Sequence, residues 1–155
     1  MDSESLPVLV KNCMDSTLYC SLSTVDANGS WVCPVGFAYG ENFDIYFVSS
    51  PNSRHMKNIS ADKRVSLAIY STDQAATSSK RGVQLIGEAE LLTDQKQIED
   101  AYKVYFAKFP VWDNTDVSYF KKKDCEWPFV MIKPKSLFYF DNGRFGENRK
   151  AVKLH

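Results

Sequence analysis

From residue 17 to residue 91 the chain runs as short stretches rich in β-branched and aromatic residues, several strictly alternating, with turn residues between them. A two-residue period puts successive side chains on opposite faces, which is the pattern of half-buried strands and not of helices. "TLYCSLSTV" and "WVCPVGFAY" are joined by "DANGS", where Asn28-Gly29 tolerates the positive φ angles of a tight hairpin turn. Gly40-Glu41-Asn42 makes a second turn into "FDIYFVSS", which sets Phe43, Ile45 and Phe47 on one face and Asp44, Tyr46 and Val48 on the other. "RVSLAIYS" and "GVQLIGEAELL" follow across the polar loop "TDQAATSSK", and "WPFVMIKPKSLFYFD" supplies one or two closing strands. The period changes once over a long stretch. Ile98, Ala101, Tyr102, Tyr105 and Phe109 recur at spacings of three and four, Thr93 and Asp94 are cap residues, and Pro110 ends the helix.

Two shorter helices are expected. One opens at Pro7 with Val8, Leu9, Val10 and Cys13 as its buried stripe. The other is a crossover in "PNSRHMKNISADK", where Asn52 and Ser53 suit an N-cap and His55, Met56 and Ile59 recur at helical spacing. The tail "NGRFGENRKAVKLH" reads as an extended arm. About six short antiparallel strands with one late helix favour a small barrel over a sandwich, because closure removes unpaired edges. The fold class is β-rich α+β. With 155 residues, 44% of them hydrophobic, and neither a repeat nor a shift in composition, the expectation is one domain over 1–155.

Composition narrows the function. Nineteen basic residues balance nineteen acidic ones, so no global field draws in a nucleic acid or an anionic membrane, and any anion site must be local. "MDSESLPVLVKNCMDS" has no basic leader followed by an apolar stretch, and no window reaches the ~18 apolar residues of a membrane span, so a soluble, cytoplasmic protein is expected. Cys13, Cys20, Cys33 and Cys125 form no C-x-x-C pair and only His55 and His155 are available, so reduced structural thiols are expected and no metal. Two histidines, one at position 155, also leave a Ser-His-Asp hydrolase without its base. Neither a phosphate-binding P-loop nor a G-x-G-x-x-G turn occurs. Glu88 and Glu90 alternate along one strand and read as solvated.

What remains is "FDIYFVSSPNSRHMKNIS". A strand ending in Ser49 and Ser50 feeds a helix that starts at Ser53 and carries Arg54 and Lys57 three residues apart. Free N–H groups, the positive end of the helix dipole, hydroxyl donors and two cations on one helix face together make a phosphate pocket. The same residues also suit a capped surface helix with solvated cations.

The order "WVCPVGFAY", "FDIYFVSS", "SRHMKNI", "RVSLAIY", "RGVQLIGEAELL" resembles, over roughly residues 5 to 140, the pyridoxamine 5'-phosphate oxidase-like FMN-binding split-barrel superfamily. "AYKVYFAKFP" and "FYFDNGRFGENRKAVKL" are most similar to a small bacterial branch of it. The resemblance implies a six-stranded antiparallel split β-barrel of Greek-key type with flanking helices, pairing as a homodimer with FMN in the clefts between subunits. It implies that Lys57 holds the cofactor phosphate, helped by Arg54, Ser49, Ser50 and Ser53. The isoalloxazine ring would lie against Pro34, Val35, Gly36 and Phe37 with Val48 and Ser49, with Gly36 permitting close approach. Arg81 and Gln84 match a position that reaches the flavin, often from the partner subunit, and Trp127 is either an aromatic at the flavin edge or a core residue. The tail offers no counterpart to the arginine- and histidine-bearing segment that takes pyridoxal phosphate, so the resemblance does not extend to that substrate.

The function implied is an FMN-dependent oxidoreductase acting on a small substrate, with the redox chemistry carried by the cofactor. The alternative is a dimer that binds or stores flavin or haem without turnover. "STDQAATSSKRG" and "VWDNTDVSYFKKKDCEWP" are expected to shape access to the site.

Overall fold

The computed structural model describes residues 4–110 and 115–155, so part of the second access segment, 111–114, lies outside the described residues. Helix α1 (Leu6–Asp15) begins after Ser5 with Pro7 in its first turn and buries Leu9, Val10 and Met14. Val8, expected in the buried stripe, is exposed. Strands β1 (Tyr19–Asp26) and β2 (Gly29–Gly36) form the hairpin, in register from Tyr19 opposite Gly36 to Asp26 opposite Gly29, and Gly29 supplies the positive φ of +120°.

Strand β3 (Ala38–Tyr39) follows after a single residue, Phe37, and a 3-10 turn over Glu41–Phe43 leads into β4 (Ile45–Val48). Helix α2 (Arg54–Ala61) then crosses to β5 (Arg64–Ile69), and β6 (Arg81–Leu91) leads to the long helix α3 (Gln95–Lys108). Asp94 caps α3 by accepting the Gln97 N–H. A short α4 (Val117–Phe120), a single thirteen-residue strand β7 (Phe129–Asp141), α5 (Asn142–Phe145) and β8 (Lys150–Ala151) complete the chain.

The strands pair in the order β2-β1-β5-β6-β7-β4-β3, all antiparallel in their registers, with β8 on β7. The two ends of that path, β2 and β3, are consecutive in the chain, so one continuous stretch leaves β1 and joins β4, curling the sheet into a half-barrel. Among the described residues the strand count is eight, not six. The two extra strands are two-residue pairings at Ala38–Tyr39 and Lys150–Ala151, too short to carry a sequence period. The tail pairs with β7 after one helical turn and buries Val152, so the arm is partly helical.

Two hydrophobic clusters hold this arrangement. Phe37, Ile45, Phe47, Leu85, Ile132 and Tyr139 fill the barrel. Tyr46, Phe129 and Met131 point out of it, against Ile98, Ala101 and Tyr105 of α3 and Phe120 of α4. Strand β4 serves both, with Ile45 and Phe47 inward and Tyr46 outward, which is why its alternation survives although both faces are buried. Each such large side chain contributes roughly 1.5–3 kcal/mol by leaving water. The outer face of β1, β2, β5 and β6 has no helix over most of its area and leaves Tyr19 59%, Val32 61%, Tyr70 47% and Ile86 55% exposed. Among the described residues no helix is long and apolar enough to cross a membrane.

Candidate binding site at the split

The split lies where β2 and β4 part. Ala38 faces Tyr46 and Tyr39 faces Ile45; three more steps in that register would bring Phe37 to Phe47, Gly36 to Val48 and Val35 to Ser49. The pairing stops instead, because residues up to Gly36 pair with β1. Pro34, Val35, Gly36 and Phe37 therefore edge one side of the split and Val48 and Ser49 the other. Pro34 is exposed, Val35 and Phe37 are buried, and Val48 is half-buried.

The close approach that Gly36 allows is made by the chain itself. A Cβ there would lie 3.1 Å from the Phe109 ring, which reaches over Gly36 from the end of α3 and stacks on Tyr105 with ring centroids 4.8 Å apart. Lys108, next to Phe109, sets its Nζ 3.7 Å from the centroid of the Phe37 ring. That Nζ is buried with no hydrogen-bond partner among the described residues. Burial pushes its pKa down to about 8. In the sequence Lys108 looks like an ordinary charged residue in the last turn of a helix.

At the end of β4 the hydroxyls converge. Ser49 Oγ lies 2.6 Å from His55 Nε2 and 3.4 Å from Ser53 Oγ, and Ser53 Oγ donates to the Ser50 carbonyl at 2.8 Å. Because Ser53 turns back to Ser50, no side chain caps α2, and the helix keeps first-turn N–H groups for an anion. Arg54 is held rather than free: its Nη2 is 3.2 Å from Asp26 Oδ2 and its guanidinium lies 4.1 Å from the centroid of the Trp31 ring. Lys57 is exposed. Trp127 is 44% exposed and so is not a core residue; it precedes Pro128, whose carbonyl accepts the Ser49 N–H at 3.3 Å, which puts it at the same end of the split.

His55, Asp26 and Trp31 were not singled out as members of this cluster from the sequence. In the sequence His55 reads as a residue at helical spacing and as the internal histidine open to a haem, and the hairpin tip cannot be matched to α2 without the fold. Burial lowers the His55 pKa. An imidazole that resists protonation when folded destabilises the fold once the unfolded chain takes up a proton. Stability should therefore fall as pH drops through about 6.5, and level off below the depressed folded value. Unfolding midpoints at pH 7.5 and 5.5, compared with those of His55→Gln, check this: the variant should lose part of the acid-side decline.

Arg81 and Gln84 are not brought to this cluster. Gln84 pairs with Ala68, which pairs with Ser21, in the middle of the outer sheet face. There it lines a shallow groove of about 420 Å³ with Ser21, Ser66, Ile86 and Phe138. Arg81 lies three residues further from the hairpin tip, opposite Asp141, whereas Arg54 contacts that tip at Asp26. Within one chain, Arg81 and Arg54 sit at opposite ends of the sheet.

The sequence profile described as Pyridoxamine 5'-phosphate oxidase matches residues 9–127. No curated protein matches the chain by sequence. Among solved structures, a heme binding protein from Mycobacterium smegmatis superposes with a TM-score of 0.76 at 16% identity, covering 99% of this chain and 60% of its own. The General Stress Protein 26 of Bacillus anthracis gives 0.64 at 14% identity, with 95% and 98% covered. A nimc/nima family protein of Clostridium acetobutylicum gives 0.65 at 16%, with 96% and 89% covered. At such identities the likeness is one of fold. The chain spans about three fifths of the length of the Mycobacterium protein.

Proposed function

We propose, for this chain that belongs to the pyridoxamine 5'-phosphate oxidase family, that it binds FMN at the split and serves as an oxidoreductase passing electrons or hydride to or from a small substrate. The observation that carries the reading is the end of β4. Ser49, Ser50 and Ser53, an uncapped start of α2, and Lys57 meet there beside the parted edges of β2 and β4. In this reading Lys57, Ser53 and the α2 amides hold the phosphate, while Arg54, fixed by Asp26 and Trp31, presents its remaining N–H groups without further ordering. The bound flavin supplies the redox chemistry; Pro34 to Phe37, Val48 and Ser49 orient its ring, and Phe109 and Lys108 close the side near Gly36.

The active species in this reading is a homodimer. Tyr19, Val32, Tyr70 and Ile86 leave an apolar sheet face open to solvent, and such faces mark interfaces. Gln84, on that face, and Arg81 at its edge would reach a flavin only from a second copy. Light scattering at micromolar concentration should give a dimer for the wild type and a monomer for Ile86→Asp; a monomeric wild type contradicts the shared site.

A second reading, a non-catalytic flavin or haem binder, draws on the heme binding protein whose fold this chain matches over 99% of its length. It also draws on His55, the internal histidine, which lies within the hydroxyl cluster and is kept toward the neutral, ligating form. The absorption spectrum of protein purified without added cofactor separates the two. Two flavin bands support the first, a Soret band the second, and NADH consumption with added FMN then divides an enzyme from a binder.

A further inference from the structure

Away from the split, a small cavity of about 140 Å³ lies between the end of α1, the start of β6, the end of β7 and α5. Two arginines line it, Arg81 and Arg144. Arg144 is paired with two carboxylates. Its Nη2 is 3.3 Å from Glu4 Oε2 and its Nε 3.7 Å from Asp141 Oδ2.

Asp141, itself only 5% exposed, is saturated: it accepts from the Tyr139 hydroxyl at 3.2 Å and from the Gly143 and Arg144 N–H groups at 3.1 and 3.2 Å. Although Arg81 stands opposite Asp141 in the register of β6 and β7, no carboxylate among the described residues lies within ion-pair distance of its guanidinium. The Arg81 charge opposes the rise that burial gives the Cys13 thiol and the Tyr139 hydroxyl, two groups of the cavity wall. Its backbone is fixed on the side away from β7, where Gln74 accepts the Arg81 N–H at 2.7 Å and donates to its carbonyl at 3.0 Å.

The cavity is thus lined by Arg81, which makes no ion pair among the described residues, by Asn12, and by Leu9 and Cys13 as an apolar wall. We propose that this cavity is a binding site for a short organic carboxylate, whose carboxylate takes the planar fork of Arg81 and whose hydrocarbon end packs on Leu9 and Cys13. A guanidinium pairs with a carboxylate through two parallel hydrogen bonds, which a free inorganic anion in the same space would match only at its polar end. The volume sets the size, because a cavity of about 150 Å³ is filled by roughly six heavy atoms. Butyrate has that count and the required polarity.

The test is a titration of the full chain with sodium butyrate, followed by amide chemical shifts against chloride of equal ionic strength, with inorganic phosphate as a second probe. Saturable shifts should appear at Cys13, Gly143 and Arg144. Arg81→Gln should weaken butyrate at least about tenfold, the loss of one charge-assisted contact, and Arg81→Lys should fall between. Because Arg81 is exposed and makes no ion pair, the variant should keep the wild-type unfolding midpoint, so that lost binding is not lost folding. The titration is made without FMN, because the shared-site reading also gives Arg81 a flavin of the second copy to contact. Three results overturn the proposal: shifts equal to those of chloride, an unchanged affinity in Arg81→Gln, or a site that takes phosphate but not butyrate.

Discussion

Gly87→Ala should cost about 2–4 kcal/mol, the largest stability loss expected from a single added methyl group in this chain. Gly87 lies where the register of β6 against β7 shifts. Ile86 faces Ser136, but Gly87 faces Pro134, so Lys135 bulges out of the ladder. A Cβ on Gly87 would stand 2.5 Å from the Lys133 carbonyl oxygen and 3.0 Å from Ile132 Cγ2. The first neighbour is backbone and cannot rotate away. Relief requires β7 to move, and β7 from Phe129 to Ile132 also pairs with β4, the strand that edges the split.

For a chain of this size the loss corresponds to a fall of roughly 5–15 °C in midpoint. Gly29→Ala is the matched comparison. Its φ of +120° is unfavourable for alanine, yet nothing lies within 4 Å of the added carbon. Strain alone should cost about 1–3 kcal/mol, toward the lower end on an exposed hairpin. Chemical denaturation of both variants checks the ordering, and a Gly87→Ala midpoint within a degree of wild type contradicts the account of the bulge.

The bulge also marks what could be read in advance. The alternation in "GVQLIGEAELL" and the run "WPFVMIKPKSLFYFD" are legible as strands because a two-residue period and β-branched content are local properties. That one strand of thirteen residues, not two, closes the barrel depends on Pro134 sitting beside a bulge opposite Gly87, which only the paired strand reveals. The turn at Glu41–Phe43 shows the same limit. "FDIYFVSS" reads as a strand from Phe43, but Asn42 and Phe43 take φ of 52° and 62°, and the strand starts at Ile45.

The candidate site divides in the same way. Ser49, Ser50, Ser53 and Lys57 are close in sequence, so their meeting follows from one strand end and one helix start. Pro34 to Phe37 were joined to them through the resemblance, and their position at the split follows from a strand changing partners at Phe37. Nothing local predicts that Arg54 stacks on Trp31 or that Lys108 lies over Phe37, because each pairs elements brought together only by the curl of the sheet.

Lys57→Ala should weaken FMN by roughly 10- to 100-fold, the worth of one charge-assisted hydrogen bond of about 1.5–3 kcal/mol to phosphate. Lys57 is exposed, and its amide makes the first helical bond of α2 to the Ser53 carbonyl at 3.0 Å, so removing the side chain leaves the backbone of the site intact. Arg54→Ala should lose more than the phosphate contact, because the Asp26 ion pair and the Trp31 stack go with it. The two cations are close enough to couple, and the double variant need not give the sum. Riboflavin carries the same ring without the phosphate. A general loosening of the split would weaken both ligands, whereas loss of a phosphate contact weakens one. The most direct measurement is therefore a fluorescence-quenching titration of wild type and Lys57→Ala with FMN and with riboflavin: the account predicts a loss of at least about tenfold for FMN and almost none for riboflavin, and equal losses for the two, or no loss for either, would contradict it.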